Sequence, residues 1–184
     1  MTSAPFTACL LELADPALRE SVVRSLWQAV PPALLVLSTC QRLECYGRHP
    51  PSLPGVHVRH RWDRREAFER LARIAAGLES RILGELEVLG QVREAYRQFR
   101  VAGGEGDSSL DRLFQDALAL ARRARRESGI DQTQTSLASL ACRQLLARIP
   151  AGAPLAVVGS GSLAGSVARH LGKREKARKN KRQR

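Results

Sequence analysis

The chain has 184 residues and a mass of 20.2 kDa, enough for one ordinary domain or one domain and a piece of another. Hydrophobic residues make up 43% and charged residues 26%, a globular composition, and with aromatics at only 4% the core has to be built from Leu, Val, Ile and Ala. The net charge is +12, and it is unevenly placed: Lys173 to Arg184 holds eight Lys/Arg against one Glu, and all four lysines of the chain lie there, every earlier base being arginine.

That tail admits three readings: a solvated disordered end, a sequence-blind phosphate contact, or a segment foreign to the fold such as the product of a shifted reading frame. The apolar run Ala33 to Leu37 is far too short to span a bilayer. The start lacks a basic segment followed by an apolar stretch and a cleavage site, which points away from secretion. Four cysteines (Cys9, Cys40, Cys45, Cys142) with no CxxC pair argue against a disulfide framework and against structural zinc, so a cytoplasmic chain with reduced thiols is expected.

In chain order, FTACLLEL (6–13) reads as a buried strand. Asp15 and Pro16 start a helix, with Leu18, Val22, Leu26 and Val30 as its apolar stripe and Pro31 and Pro32 as its stop. LLVLS (34–38) and LECYG (43–47) are strands joined by a turn over Thr39 to Arg42, and VHVRH (56–60) alternates like an edge strand. Asp63 with Glu66 forms a capping-box start for a helix that places Phe68, Leu71, Ala75 and Leu78 on one face and ends near Gly77. Helices follow at 88–101 (Val88, Val92, Ala95 and Phe99 inward), at 110–127 (Leu113, Phe114, Ala117, Leu120, Ala121 and Ala124 inward) and at 137–149. LAVVG (155–159) reads as a buried strand, followed by a helix at 162–171. The pattern βαβββ followed by helices indicates an α+β domain with a helical layer, then the first β–α unit of a dinucleotide-type α/β fold.

Two segments suggest chemistry. VVGSGSLAG fits G-x-G-x-x-A at Gly159, Gly161 and Ala164: a tight turn, close approach of backbone to a pyrophosphate, and a helix N-terminus offering free N–H groups. The alternative is a plain strand–turn–helix. A second strand with an acidic ribose ligand is missing downstream, so a lone strand with no ladder is expected to be poorly stable and tight cofactor binding is not expected. In LSTCQRLECYG, Cys40 is flanked by Thr39, Gln41 and Arg42, polar groups that suit a ligand better than a core. A guanidinium two positions away favours a thiolate and suits a carboxylate, and a thiolate is the natural nucleophile for an activated acyl group. The other three cysteines read as small buried hydrophobes.

STCQR resembles the nucleophile segment of the glutamyl-tRNA reductase family. The resemblance continues through AAGLESRILGELEVLGQVREAY (75–96), RRARRESGIDQTQTSLASLAC (122–142) and LAVVGSGSLAGSVARHL (155–171), in the family's order, and more loosely through LRE at 18–20. It implies a catalytic domain over 1–150, a truncated NADPH-binding Rossmann segment over 151–172 and a basic disordered tail over 173–184. It also implies NADPH-dependent reduction of glutamyl-tRNA to glutamate-1-semialdehyde, the first step of five-carbon tetrapyrrole (porphyrin) synthesis. Cys40 would form the thioester. Thr39, Gln41, Arg42, Ser80, Glu85, Leu86, Glu87 and Gln91 would line the substrate pocket, with Arg42 on the glutamate carboxylate, and Gly159, Ser160, Gly161, Ser162, Leu163 and Ala164 would form the NADPH phosphate turn. Glutamate-1-semialdehyde aminomutase is an implied partner, and the family's homodimerisation domain is absent from this chain.

The departures from the family fall on the site. A histidine important to family activity aligns with Arg70, the residue then left at that catalytic position, and arginine is no neutral base. Gln41 stands for an asparagine, and Leu86 and Glu87 for a proline and a glutamine. The competing reading is a non-catalytic tRNA- or partner-binding remnant whose phosphate-facing surface is Arg112, Arg122, Arg123, Arg125 and Arg126 with the tail. A third is a damaged copy without activity.

Overall fold

A computed structural model describes residues 7–13, 15–29, 34–39, 41–48, 52–104, 108–130, 136–150, 153–159, 161 and 163–172. The chain divides into two compact units, 1–132 and 133–184.

The first unit is built on a sheet of β1 (Thr7–Leu13), β2 (Leu34–Ser38), β3 (Leu43–Gly47) and β4 (Val56–Trp62), in the order β2-β3-β1-β4 with every neighbour antiparallel. β4 is an edge strand, as its alternating sequence suggests, and its register against β1 shifts at Leu10/Leu11. Strand side chains alternate between faces, so the two faces hold different cores. Cys9, Leu11, Leu34, Val36, Leu43 and Cys45 face one way and pack with Leu26 of α1 (Arg19–Ala29). Ala8, Leu35, Leu37 and Tyr46 face the other way and pack under α2 (Arg64–Ala76), α3 (Leu86–Val101) and α4 (Ser108–Glu127).

Helices form where the sequence signals place them, though α1, α3 and α4 begin at 19, 86 and 108 rather than at 16, 88 and 110. Asp15 accepts from the Ala17 N–H at 2.8 Å, but Pro16–Leu18 forms a 3₁₀ turn before α1. Three residues per turn instead of 3.6 shift the helical phase, and Leu18, expected on the apolar stripe, is exposed. The Asp63–Glu66 capping box is complete, with Asp63 Oδ1 accepting from Glu66 N at 2.9 Å and Glu66 Oε2 from Asp63 N at 3.0 Å.

Gly77 ends α2 at φ 82°, and the Leu78 N–H reaches back to the Arg73 carbonyl at 2.9 Å, a Schellman closure. The loop that follows returns on itself: the Gly84 N–H donates to the Gly77 carbonyl at 3.0 Å, and a Cβ on Gly77 would lie 2.9 Å from Gly84 backbone carbon. This contact places the start of α3 beside the end of α2.

On α4 the buried stripe is Leu110, Leu113, Phe114, Ala117, Leu118, Ala121 and Arg125, spaced one, three or four residues apart as one helix face requires. Leu120 and Ala124, expected inward, lie off this stripe and are exposed. Arg125, expected on a phosphate-facing surface, is instead 1% exposed. Its guanidinium donates to the Ala76 carbonyl at 2.8 Å, Gly84 at 3.1 Å and Glu85 at 3.4 Å, pairing carbonyls that the end of α2 and its loop leave open.

In the second unit, α5 (Leu137–Leu146) starts at Ser136, whose hydroxyl accepts from the Ser139 N–H at 3.1 Å, and it buries Ala138 and Cys142. Residues 163–172 are helical, as expected. The strand expected at 155–159 is not formed: these residues have no strand pairing among the described residues, and Val158 is 96% exposed. An extended segment needs a neighbouring ladder for its N–H and C=O groups, and none of the described strands joins it.

Replacing Arg125 with Met should lower unfolding stability by about 3 kcal/mol, because charged donors to buried carbonyls contribute roughly 1.5–3 kcal/mol each and carbonyls left bare add a penalty. The exposed neighbour Arg126→Met should change it by less than about 0.5 kcal/mol. Urea unfolding midpoints of the two variants test the difference.

Candidate functional site

The site is assembled on the β2–β3 hairpin, whose last strand pair is Ser38↔Leu43. Thr39 closes the turn twice. Its N–H donates to the Arg42 carbonyl at 2.9 Å, and its hydroxyl accepts from the N–H groups of Gln41 and Arg42 at 3.2 and 3.3 Å. This is the local Thr turn chemistry that competes with strand continuation. From the other side Arg19, the first residue of α1, donates one guanidinium nitrogen to the carbonyls of both Thr39 and Arg42 at 2.5 Å. Cys40 lies outside the described residues; Thr39 and Gln41 are its neighbours in the chain.

Arg42 points inward, its side chain only 9% exposed. Its Nη2 donates to the backbone carbonyl of Glu79. Its Nε stands 3.9 Å from Glu44 Oε1, too far for a hydrogen bond. Its Nη1 is buried without a hydrogen-bond partner. A buried guanidinium N–H left open is rare, because the desolvation cost of an unpaired charged donor is severe.

Beneath Arg42 lies Glu44, a carboxylate with no exposure at all on an interior strand. Tyr46, two residues along on the same face, donates its O–H to Oε2 at 2.7 Å. Arg70 of α2 donates to Oε1 from Nε at 3.1 Å and from Nη2 at 2.6 Å. Every contact on both oxygens is a donor, the pattern of an ionised carboxylate. Burial, then the charge and hydrogen bond of Glu44, push Tyr46 well above the ordinary tyrosine range, so its hydroxyl keeps its proton.

The Arg70 guanidinium also stacks over the Trp62 ring at 4.2 Å and stands 3.8 Å from Glu79 Oε2. Burial alone would pull Arg70 down; its hydrogen bonds to Glu44, with the charges of Glu44 and Glu79, outweigh this and raise it. Arg70 is thus a fixed cation. Glu79 in turn accepts from Arg73 at 2.7 Å. That bond holds its carboxyl below the ordinary range against the upward push of partial burial, and the charges of Arg73, Arg70 and Arg42 add to the effect.

Of the residues singled out in sequence, Thr39, Gln41 and Arg42 form the turn. Ser80 follows directly on Glu79, whose carbonyl holds Arg42. Glu85 lies in the loop held by Arg125, its carboxyl pushed up by burial and by the charge of Glu87. Leu86 and Glu87 open α3, and Gln91 sits one turn on; all three are partly buried. Sequence reasoning passed over Glu44, Tyr46, Trp62, Glu79 and the role of Arg19. A visible signal existed for Glu44 alone: a lone acid inside an otherwise apolar strand, LECYG.

The family profile described as glutamyl-tRNAGlu reductase, N-terminal domain, matches residues 10–128. The chain belongs to the glutamyl-tRNA reductase family. It is 39% identical to a glutamyl-tRNA reductase of Thermus thermophilus over 178 residues, covering 88% of this chain and 44% of that protein. It is 38% identical to a glutamyl-tRNA reductase of Xanthomonas campestris pv. campestris over 152 residues, covering 74% of this chain and 34% of that protein. The chain therefore spans less than half the length of these relatives. Its fold resembles that of the Methanopyrus kandleri glutamyl-tRNA reductase with a TM-score of 0.57, at 24% identity, over 94% of this chain and 47% of that one. No helix among the described residues is long and apolar enough to cross a membrane.

The glycine turn that the resemblance assigns to NADPH has only part of the geometry a dinucleotide needs. Gly159 has φ 135°, the left-handed side that glycine alone tolerates well, and helix 163–172 follows, with Gly161, Leu163 and Ala164 at its start. Ser160 and Ser162 lie outside the described residues. The other half of a phosphate cradle, a strand seated in a parallel sheet, is missing among the described residues, since 155–158 is exposed and unpaired. As they stand, these residues do not fit a dinucleotide.

Arg19→Met should lower stability by about 1.5–3 kcal/mol and speed amide hydrogen exchange selectively in 39–42, because both turn carbonyls lose their charged donor. The depressed Glu79 carboxyl predicts a pH effect. Its stabilising contribution is complete above the ordinary glutamate value of about 4.3 and is lost as pH falls through its lower folded value. Glu79→Gln should thus lose less stability between pH 5 and pH 3 than the unsubstituted chain, as measured by urea unfolding at each pH.

Proposed function

We propose that this chain carries the acyl-transfer half of glutamyl-tRNA reduction. Cys40 is the nucleophile and Arg42 the anchor for the glutamate side-chain carboxylate. The observation that carries the reading is the open, buried Nη1 of Arg42, fixed by the Glu79 carbonyl in the turn that contains Cys40 in sequence. A carboxylate is the partner a guanidinium in that state lacks.

The reaction follows from the groups. The Cys40 sulfur attacks the ester carbonyl carbon of glutamyl-tRNA, a C–S bond forms, and the bond from that carbon to the terminal ribose oxygen breaks. The thiol proton ends on the departing ribose hydroxyl, leaving free tRNA and a glutamyl thioester. A thioester is a better hydride acceptor than an oxygen ester. In the family resemblance NADPH supplies that hydride and glutamate-1-semialdehyde is the product, entering tetrapyrrole synthesis in the cytoplasm. No reduction step is assigned to the residues described here.

Around the reacting ester, Thr39 and Arg19 hold the turn, while Ser80, Glu85, Leu86, Glu87 and Gln91 belong to the wall made by the α2–α3 loop and α3. The aminomutase and homodimer partners of the family belong to the same reading. The tRNA-binding remnant is the weaker alternative, since Arg125, one of its five surface arginines, is a core residue.

The purified chain, given tRNA charged with labelled glutamate, should release tRNA and retain the label in a hydroxylamine-sensitive thioester. Cys40→Ser should retain none. Arg42→Met should raise the charged-tRNA concentration needed for half-maximal labelling by roughly 10–100-fold, the loss expected for a charge-assisted hydrogen bond. Salt-dependent tRNA binding without any labelling would assign the chain to binding alone.

A further inference from the structure

Arg42 keeps its Nη1 without a partner, and its Nε stands off Glu44, while a different guanidinium, that of Arg70, satisfies Glu44. We propose that Arg70 is a positioning residue that sets the charge around Arg42: by occupying Glu44 it leaves Arg42 with an uncompensated positive charge for a substrate carboxylate. This deepens, and rests on, the reading of Arg42 as the glutamate anchor.

The distances divide the two arginines clearly. Arg70 makes two hydrogen bonds to Glu44 Oε1, at 2.6 and 3.1 Å, whereas Arg42 comes no nearer that oxygen than 3.9 Å. Arg70 is held on three sides, by Glu44, by the Trp62 ring and by Glu79, so it is not free to turn toward a ligand. Across the cluster, the three guanidiniums of Arg42, Arg70 and Arg73 face the two carboxylates of Glu44 and Glu79, an excess of one positive charge.

Without the Arg70 charge the cluster would be neutral. Glu44 would then have Arg42 as its nearest cation, and a move of about one ångström across the 3.9 Å gap would turn Arg42 into an internal ion pair. At low dielectric such a pair strongly resists an incoming anion. A neutral side chain at position 70 would thus leave the anchor in place but discharge it.

The test uses the full chain and two non-hydrolysable probes, glutamyl and glutaminyl residues joined by an amide to 3′-amino-3′-deoxyadenosine, with affinities measured by calorimetry. They differ only in the side-chain charge, so their affinity ratio reports the charge around Arg42 rather than the site's general integrity. The unsubstituted chain should favour the glutamyl probe by at least about tenfold. Arg70→Gln should bring the ratio near one. Glu44→Gln should keep or raise it. Arg70→Gln combined with Glu44→Gln, which restores the single excess charge, should restore the preference.

A purely packing role for Arg70 predicts damage in both variants and no restoration. A preference retained in Arg70→Gln, or lost in Glu44→Gln, or not restored in the double variant, overturns the proposal. If Arg70→Gln does not fold, as circular dichroism would show, the other two variants decide. No preference in the unsubstituted chain overturns instead the underlying reading of Arg42.

Discussion

A carboxylate sealed inside the sheet governs this structure. Glu44 sits on β3 with strands on both sides and helices above, where an isolated negative charge costs several kcal/mol even after relaxation. The chain answers with donors on every side. Tyr46 comes free with the strand, because residues two apart share a face. Arg70 comes from α2, whose apolar stripe of Leu71, Ile74 and Ala75 fixes the helix over that face and so fixes where the guanidinium arrives. Trp62, at the end of the edge strand β4, covers the guanidinium from outside. Strand register, helix packing and cation placement are therefore one arrangement seen at three levels.

The same chemistry recurs where the chain must turn near this charge. The β2–β3 turn and the α2–α3 loop both leave carbonyls that no secondary structure can satisfy. Each is held by an arginine reaching over from a helix, Arg19 for the first and Arg125 for the second. A guanidinium suits this task because its planar fork presents several donors at once while its stem packs as hydrocarbon. Arg42 is the exception that marks the site. It holds one carbonyl as the others do, yet keeps a buried nitrogen open.

Much of this was legible in the sequence. The strands, the Asp63–Glu66 cap, the Gly77 stop and the inward face of α3 all follow from local rules of period and capping, and these are properties of a few adjacent residues. The turn at Thr39 to Arg42 was legible for the same reason. Arg125 was misread because charge alone suggested a surface, although its spacing of four from Ala121 continues the buried stripe. The Glu44–Arg70 pairing was not legible, because it joins residues 26 apart through helix packing that no local pattern encodes. The segment 155–159 was misread for the opposite reason: its apolar pattern is a good local strand signal, but a strand exists only by virtue of its neighbours.

Arginine at position 70, where the resemblance implies a histidine, also bears on the chemistry. A histidine near neutral pH both accepts and returns protons, whereas Arg70, raised by its bonds to Glu44, does neither. If Cys40 is the nucleophile, as proposed, that position cannot remove its proton, and the sulfur would have to be favoured as a thiolate by charge. On the proposed reading the excess cation around Arg42 would act in that direction, since a positive charge close to a sulfur stabilises a thiolate as it stabilises the carboxylate of an incoming glutamyl group. The two demands then compete. On that reading, a glutamyl carboxylate at Arg42 would offset the cation that favoured the thiolate, and the reactive form would be best prepared before the substrate arrives. Under the proposed function, exchanging a proton-carrying imidazole for a permanent guanidinium would thus move the control of reactivity from proton transfer to the order in which charges enter the site.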